Sequence, residues 1–144
     1  AVLQEGELVQ IDTPLHLYNH PTTPFVASLL GTANFITGKV TAASATTFFG
    51  EVPLRREQGS FLSQGEIVNV LIRPEGLFLE ETPYFANGVV VDVDYTAFQA
   101  LYEVLIDDEI KVSVAAPLDS EISIGATVKV SADLSRELTT FPLG

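Results

Sequence analysis

The fold class is decided by residues 87–114, which read NGVVVDVDYTAFQALYEVLIDDEIKVSV. Apolar and polar residues alternate along this stretch, as is typical of β-strands whose two faces meet different surroundings. The alternation predicts three successive strands. Their apolar residues are Val89, Val91, Val93 and Tyr95, then Phe98, Ala100, Tyr102, Val104 and Ile106, then Ile110, Val112 and Val114.

Further short strands lie on both sides of this stretch. Asp107-Asp108 predicts a hairpin turn, although it lacks the glycine that usually serves such a turn. The polar segment 55–66 predicts a loop. About seven or eight short strands separated by turns favour small barrels or a sandwich over a parallel α/β sheet. The other strands are predicted at 35–42, 44–52, 67–72 and 127–131.

A hairpin over residues 2–11 and two short helices are predicted ahead of the strands. The helices begin at Thr13-Pro14 and Thr23-Pro24, because Thr caps a helix and Pro suits its first position. The second helix has a crowded apolar side, which so short a helix buries only against a partner. The residues of that side are Phe25, Val26, Leu29 and Leu30.

This sequence pattern divides the chain into three parts. Residues 1–31 form an arm of hairpin and helices, residues 32–82 a first small β unit, and residues 83–144 a second. The two β units echo each other, since each starts with a strand pair and ends with a Val-rich strand. The predicted fold is mainly β, with two small β units preceded by a hairpin and two short helices.

The charge balance restricts the partners. The chain of 144 residues has 7 basic and 19 acidic residues and a formal net charge of -12. Nucleic acids and anionic membrane surfaces attract Lys and Arg, so both are disfavoured. Without Cys there are no disulfides and no thiolate chemistry. Without Met, we expect a processed product or part of a longer protein.

No set of catalytic residues is found in the sequence. The phosphate-binding loop, the dinucleotide fingerprint, the nucleophile elbow and the zinc-protease motif are all absent. His16 and His20 have metal-ligand spacing, but no third ligand is near in sequence, so we interpret them as surface histidines. We expect no catalytic residue, metal or cofactor in this chain.

Acidic residues concentrate in the second half, where a stretch between Arg73 and Lys111 holds no basic residue. Such a negative face usually keeps a protein soluble, although it can also steer a basic partner or hold a hard cation. Glu5 and Glu7 form a smaller acidic pair in the predicted hairpin. The acids of the long stretch are Glu75, Glu80, Glu81, Asp92, Asp94, Glu103, Asp107, Asp108 and Glu109.

Several motifs, in order, resemble the region that follows the nucleotide-binding domain in ABC importer ATPases. The opening GELVQ resembles that family's hairpin, and TPLHLYNHP with FVASLLG resembles its G-T-P-x-x-L-Y-x-x-P…F-V-A-x-F-L-G segment. NFITG and VLIRPE resemble the two signatures of its transport-associated OB (TOBE) domain. The motifs start at Gly6, Thr13, Phe25, Asn34 and Val70, and Thr140-Phe141-Pro142 resembles the ending of the ferric-iron branch.

The resemblance implies that residues 1–31 are the tail of the nucleotide-binding domain with a linker arm, and that residues 32–82 and 83–144 are tandem OB-fold-like (TOBE) units. It further implies a regulatory and dimerisation region of an ATP-binding subunit, separate from its motor. ATP and Mg would belong to the parent protein. The partners implied are a second copy, the parent's nucleotide-binding domain and, indirectly, the membrane subunits, at the inner face of the cell membrane. The dimer contacts expected are Phe25, Val26, Leu29 and Leu30. The signature residues, expected to be structural, are Thr13, Pro14, Tyr18, Pro21, Phe25, Val26, Ala27, Gly31, Asn34, Phe35, Gly38, Arg73, Pro74 and Glu75.

Two other functions fit parts of the pattern. An oxyanion-binding module would use backbone nests with hydroxyl or ammonium groups, which Thr37, Gly38, Lys39 and Thr41 offer. An OB-type nucleic-acid binder would stack bases on aromatic residues beside a basic groove. Phe48, Phe49 and Phe98 are the aromatic candidates, but few basic residues lie near them.

We expect the purified chain neither to bind nor to hydrolyse ATP, because every phosphate-cradling motif is absent. Titration calorimetry with Mg-ATP and a phosphate-release assay measure both properties. Turnover that survives a second purification step would contradict this expectation.

Overall fold

The structure is a computed structural model that describes residues 1–55 and 62–143. The chain divides into two compact units, Ala1–Leu71 with Ser135–Gly144, and Ile72–Leu134. Within the described residues, the strands are β1 (Val2–Gln4), β2 (Glu7–Gln10), β3 (Asn34–Thr41), β4 (Ser44–Thr47), β5 (Gly50–Pro53), β6 (Ile67–Ile72), β7 (Leu77–Glu81), β8 (Gly88–Tyr95), β9 (Ala100–Ile106), β10 (Ile110–Ala116), β11 (Thr127–Ala132) and β12 (Thr140–Pro142), and the helices are α1 (Pro14–Asn19) and α2 (Pro24–Leu29).

The sheet of the first unit has the order β12-β6-β3-β4-β5. Strands β3, β4 and β5 form an antiparallel meander, and β6 returns beside β3. A parallel bridge between Leu54 and Leu138 joins the end of β5 to the segment that leads into β12. Leu138 N donates to Pro53 O at 2.9 Å, and Arg55 N donates to Leu138 O at 3.0 Å. Residues 138–142 therefore close the sheet into a barrel.

The sheet of the second unit has the order β10-β9-β8-β11-β7. Its first three chain-consecutive strands, β8, β9 and β10, again form a meander, and β11 returns beside β8. Strand β7 pairs with β11 and also lies next to β10, so the five strands curl into a second small barrel. The predicted fold class, mainly β with tandem OB-like units after a hairpin and two short helices, is confirmed.

The two barrels share backbone details as well as strand order. Gly65 N donates to Val40 O at 2.7 Å, and Gly125 N donates to Val90 O at 2.8 Å. In both barrels the valine N donates back, at 2.9 and 3.1 Å, to the residue after that glycine. The echo predicted between the two β units therefore reaches individual hydrogen bonds.

A glycine lies two residues before each of these valines, at a point where neighbouring strands approach closely. A Cβ on Gly38 would lie 3.1 Å from Thr47 Cγ2, and a Cβ on Gly88 would lie 2.7 Å from Val104 Cγ1. Side chains from the paired strand already occupy that space, so a Cβ at position 88 would force Val104 to shift, and a Cβ at position 38 would press on Thr47.

The fifth strand of each sheet comes from an unexpected part of the sequence. Strand β7 follows β6 along the chain but completes the second unit, and β12 follows β11 but completes the first. The second unit is therefore one continuous segment that begins with β7. The first unit is completed by β12, which follows the second unit along the chain. The division by contacts differs from the predicted boundaries at 31/32 and 82/83, and the domain assignment of those spans stays a prediction.

The prediction that Val89, Val91, Val93 and Tyr95 share one apolar face is wrong. Strand β8 contains a bulge between Val90 and Asp92, where Val91 has no opposite residue in β9. An extra residue reverses the alternation of side chains. Val90 is accordingly buried in the core, while Val89 and Val91 are 38% and 37% exposed.

The next strand and its turn follow the prediction. The β9 residues Ala100, Tyr102, Val104 and Ile106 are all fully buried, whereas Phe98 lies in the preceding loop and is 90% exposed. The predicted hairpin turn is confirmed at Asp107-Asp108. Its two φ angles are 49° and 58°, and positive values at both central residues define a type I′ turn.

The predicted loop at 55–66 falls mainly on residues 56–61, which lie outside the described residues.

None of the described helices has the length and apolar character needed to cross a membrane.

We expect Phe141→Ala to destabilise the first unit by about 3–5 kcal/mol, because it leaves a cavity where the closing strand enters the core. Phe141 is 3% exposed and packs with Ala27 and Leu71. Phe98→Ala is the matched control and should change stability by less than about 0.5 kcal/mol. Urea unfolding measures both, and equal effects would show that β12 does not support the barrel.

Candidate functional site

The two short helices are capped as the sequence predicts. Thr13 Oγ1 accepts a hydrogen bond from His16 N at 3.3 Å, and Thr23 Oγ1 accepts one from Val26 N at 3.2 Å. Each helix has Pro at its first position. The helices pack on the hairpin β1–β2 through a small core of Val2, Leu17 and Val26, with Val9 and Leu30 against it.

Gln10, at the end of β2, holds the connection between the two helices. Its side chain is 8% exposed. Its Oε1 accepts hydrogen bonds from Thr22 N at 3.0 Å and from Thr22 Oγ1 at 3.2 Å, and its Nε2 donates to His20 O at 3.2 Å. The amide therefore fixes the backbone from residue 20 to residue 22 against the hairpin, on both sides of the buried Pro21.

A cleft of about 400 Å³ opens beside this amide, within the first unit. It combines imidazole, guanidinium, carboxylate, amide and hydroxyl groups. Its lining residues are Gln10, Ile11, Asp12, His16, His20, Thr22 and Arg55.

Asp12 and His16 form one pair in the cleft, in which the Asp12 carboxylate contacts His16 Nδ1. Thr13 N also donates to Asp12 Oδ1, at 3.1 Å. Desolvation acts to raise the pKa of Asp12, but hydrogen bonds from Thr13 N and His16 and the charge of His16 outweigh it. The pKa of Asp12 therefore lies below its usual value, and the carboxylate stays ionised at neutral pH.

His20 and Arg55 form the second pair. Arg55 Nη1 lies 2.6 Å from His20 Nδ1, and the rings of His16 and His20 have centroids 4.7 Å apart. The predicted metal-ligand spacing thus brings two imidazoles together, each beside a charged partner. Among residues 1–55 and 62–143, no group of three or more His, Asp or Glu side chains is placed to hold a metal ion.

Most of the predicted signature residues lie inside the fold. Arg73 is 9% exposed and precedes a 3₁₀ turn over Pro74–Gly76, in which Gly76 N donates to Arg73 O at 2.8 Å. Buried members are Pro21, Val26, Ala27, Asn34, Gly38, Arg73 and Pro74; Tyr18, Gly31 and Phe35 are half-buried; Thr13, Pro14, Phe25 and Glu75 are exposed.

Of the four residues expected at the dimer contact, two pack inside the first unit and two are exposed. Val26 is fully buried inside the first unit, because it packs against the hairpin core, and is not available to a second copy. Leu30 packs against the same core. Phe25 and Leu29 are 36% and 59% exposed and remain candidates.

The residues proposed for an oxyanion nest do not form one. Thr37, Gly38, Lys39 and Thr41 all lie in β3, where backbone groups pair with neighbouring strands. Thr41 Oγ1 donates instead to Glu51 Oε1 at 2.7 Å. Of the aromatic candidates, Phe48 and Phe49 contact each other edge to face in the first unit, with ring centroids 5.4 Å apart, and Phe98 belongs to the second unit.

Part of the predicted acidic face lies on the hairpin β8–β9. Asp92 and Glu103 are paired across the strands, and both line a shallow cleft of about 280 Å³ with Asp94, Val93 and Leu101. Lys111 Nζ lies 3.5 Å from Glu103 Oε2 and offsets part of the charge.

Sequence reasoning singled out only the two histidines of the larger cleft and missed its other lining residues, among them Gln10, Asp12 and Arg55. Asp12 had a signal, because it precedes His16 by four residues just as His16 precedes His20. Gln10 and Arg55 had none, because barrel folding alone brings the end of β5 to the helices.

The sequence is similar to a known domain family and to a known transport protein. Residues 70–136 match the family model of the TOBE domain. The chain is 32% identical over 119 residues to the spermidine/putrescine import ATP-binding protein PotA of Fusobacterium nucleatum subsp. nucleatum, a match that covers 72% of this chain and 31% of that protein. The chain therefore spans less than a third of the length of this curated relative.

A solved structure of the cytoplasmic molybdate-binding protein ModG, with molybdate bound, is also similar. Its TM-score is 0.62 and its identity 12%, and the match covers 76% of this chain and 96% of that one. At this identity the likeness supports the fold alone.

Proposed function

Because this chain carries a TOBE domain and is a region of the type found in ATP-binding proteins of ABC importers, we propose that it serves as the regulatory and dimerisation region of such a protein. The match over 119 residues to an import ATP-binding protein carries the proposal. The motor that hydrolyses ATP would lie elsewhere in the parent protein, and this region would act from the cytoplasmic face of the membrane through the transporter complex.

The packing of the first unit supports a role in assembly. Its hairpin and helices bury part of their apolar side chains in a core of their own and leave four leucines exposed. Leu3 and Leu8 are paired across the hairpin and are 60% and 56% exposed. Leu15 and Leu29, on the helices, are 71% and 59% exposed. This face would contact the motor domain or a second copy of the chain.

The charge of the second unit supports a separate role in regulation. Asp92 and Glu103, like charges directly opposite each other in a sheet, destabilise the pairing. A regulator or subunit with a basic surface would relieve that repulsion on binding. We therefore assign contacts with regulators to the second unit and contacts of assembly to the first.

The transported substrate is a narrower question. We propose ferric iron, on the resemblance of Thr140-Phe141-Pro142 to the ending of that branch. The relative named for spermidine and putrescine supports polyamine import as the second candidate.

We expect disruption of the gene for this chain to lower uptake of radioactive ferric iron and to leave putrescine uptake unchanged. Re-expression of the gene is the control and should restore iron uptake. Loss of putrescine uptake alone would overturn the iron assignment and favour the second candidate.

We expect the chain to form a homodimer at micromolar concentration, and Leu29→Glu to convert it to a monomer, because the new carboxylate would be desolvated in the contact. Leu134→Glu is the matched control, since Leu134 is 49% exposed and lies in the second unit. Light scattering measures the mass. A monomeric mass for the unmodified chain would contradict the proposed dimerisation.

A further inference from the structure

Asn87, in the loop between β7 and β8, uses all four of its polar groups to hold the second barrel together. Its backbone N donates to Val128 O at 3.0 Å, and its backbone O accepts from Asp107 N at 3.1 Å. Its side-chain Nδ2 donates to Val130 O at 2.9 Å, and its Oδ1 accepts from Val130 N at 2.8 Å. The side-chain amide thus pairs with β11 as the peptide group of another strand would.

The residue after Asn87 is Gly88, and the pair has a chemical reactivity of its own. The glycine N can attack the side-chain carbon Cγ of the asparagine, because glycine has no Cβ to block the approach. A bond then forms between Gly88 N and Asn87 Cγ, the bond from Cγ to Nδ2 breaks, and the proton of Gly88 N leaves with Nδ2 as ammonia. Water opens the resulting cyclic imide at either carbonyl, which gives aspartate or an isomer whose backbone runs through the side chain.

The folded second unit opposes this reaction in two ways. The attack needs Cγ to turn toward Gly88 N, but both polar atoms of the side-chain amide are held by Val130. Gly88 itself is buried and is paired with Val128 of β11 and with Ile106 of β9. Base in the solvent therefore has little access to the Gly88 N–H, and the reaction needs β11 to move away first.

We infer that Asn87-Gly88 is a site of spontaneous deamidation that the closed second barrel suppresses, and that the reaction prevents the barrel from closing again in the same way. A carboxylate only accepts hydrogen bonds, so Val130 O loses its donor and faces a second oxygen. Val130 is 1% exposed, so water does not replace the lost bond. The isomeric product also lengthens the backbone by one atom where β8 begins, which disturbs its register.

The site makes the chemical lifetime of the second unit depend on how often β11 opens. Each opening exposes Asn87-Gly88 to the reaction, and a unit that has reacted is not restored by closing. A partner that binds only the closed unit lowers the population of the open one and slows the reaction. The inference does not depend on the proposed role in an importer.

Peptide mapping by mass spectrometry measures the deamidated fraction at each asparagine after the full chain is incubated at neutral pH, with and without guanidinium chloride. We expect Asn87 to react at least about tenfold more slowly in the folded chain than in the denaturant. Asn19, Asn34 and Asn69 are internal controls, because His, Phe and Val follow them, and in the denaturant they should react far more slowly than Asn87. Equal rates for Asn87 in the two conditions would overturn the inference.

Two valine variants test whether opening of the barrel controls the rate. Val130→Ala keeps the backbone groups that bind Asn87 but leaves a cavity beneath β11, so deamidation of Asn87 should become about tenfold faster. Val91→Ala is the matched control, since Val91 is 37% exposed in the same unit, and should leave the rate unchanged.

A third variant serves if Val130→Ala fails to fold. Thr127→Val removes the hydrogen bond from Thr127 Oγ1 to Thr82 O, beside the Asn87 contacts, and should also raise the rate of deamidation. A rate equal to that of the unmodified chain, in whichever of the two variants folds, would contradict control by the barrel.

Asn87→Asp reproduces one product of the reaction and tests its effect on the barrel. We expect its unfolding midpoint in guanidinium chloride to fall, as followed by tyrosine fluorescence, since three of the four tyrosines lie in the second unit. Gln99→Glu makes the same change from amide to acid at an exposed position and should leave the midpoint unchanged. Equal midpoints for Asn87→Asp and the unmodified chain would show that the reaction does not impair closure, and would overturn that part of the inference.

Discussion

The closure of the first barrel by residues 138–142 is the constraint on which the structure depends. This segment pairs in parallel with Leu54 and antiparallel with β6, and it places Phe141 in the core. The strands with which it pairs are far away in sequence, and the whole second unit lies between them. Bringing such distant segments together costs conformational entropy, which the contacts buried in the barrel must exceed. The same closure holds Arg55 in place, because Arg55 N is bound to Leu138 O. The end of the chain therefore supports both the barrel and the polar cleft.

The two units reach similar barrels from different sequences. The glycines at 38 and 88, and the paired hydrogen bonds to Val40 and Val90, recur at equivalent points of both sheets. The constraint that they share is steric, since a side chain at either glycine would press on a side chain of the paired strand. Surfaces are less constrained than these contacts. The hairpin and helices of the first unit expose leucines, whereas β8 and β9 of the second unit carry Asp92 and Glu103 at paired positions. The repeat explains the fold, and the differences between its two copies carry the proposed functions.

In the polar cleft, hydrogen bonds that support the fold also hold charged side chains close together. Gln10 is a structural residue, because its amide satisfies three hydrogen bonds in a nearly buried position. The same bonds orient His20 toward Arg55. Asp12, His16 and His20 follow one another at intervals of four residues in and beside α1, so the helical period brings these three side chains together. The fourth residue, Arg55, is brought to them only by the folding of the barrel.

The sequence by itself determined the local features of this protein. The period-two pattern predicted the buried residues of β9, Thr-Pro pairs predicted both helix starts, and Asp107-Asp108 predicted a turn, because each of these depends on neighbours within a few residues. The tertiary structure alone decided the bulge at Val91, the placing of β7 in the second unit and the return of β12 to the first, and the meeting of Arg55 with His20. These depend on pairing between strands that are distant in the sequence, and such pairing is selected by packing of the whole core rather than by any local pattern.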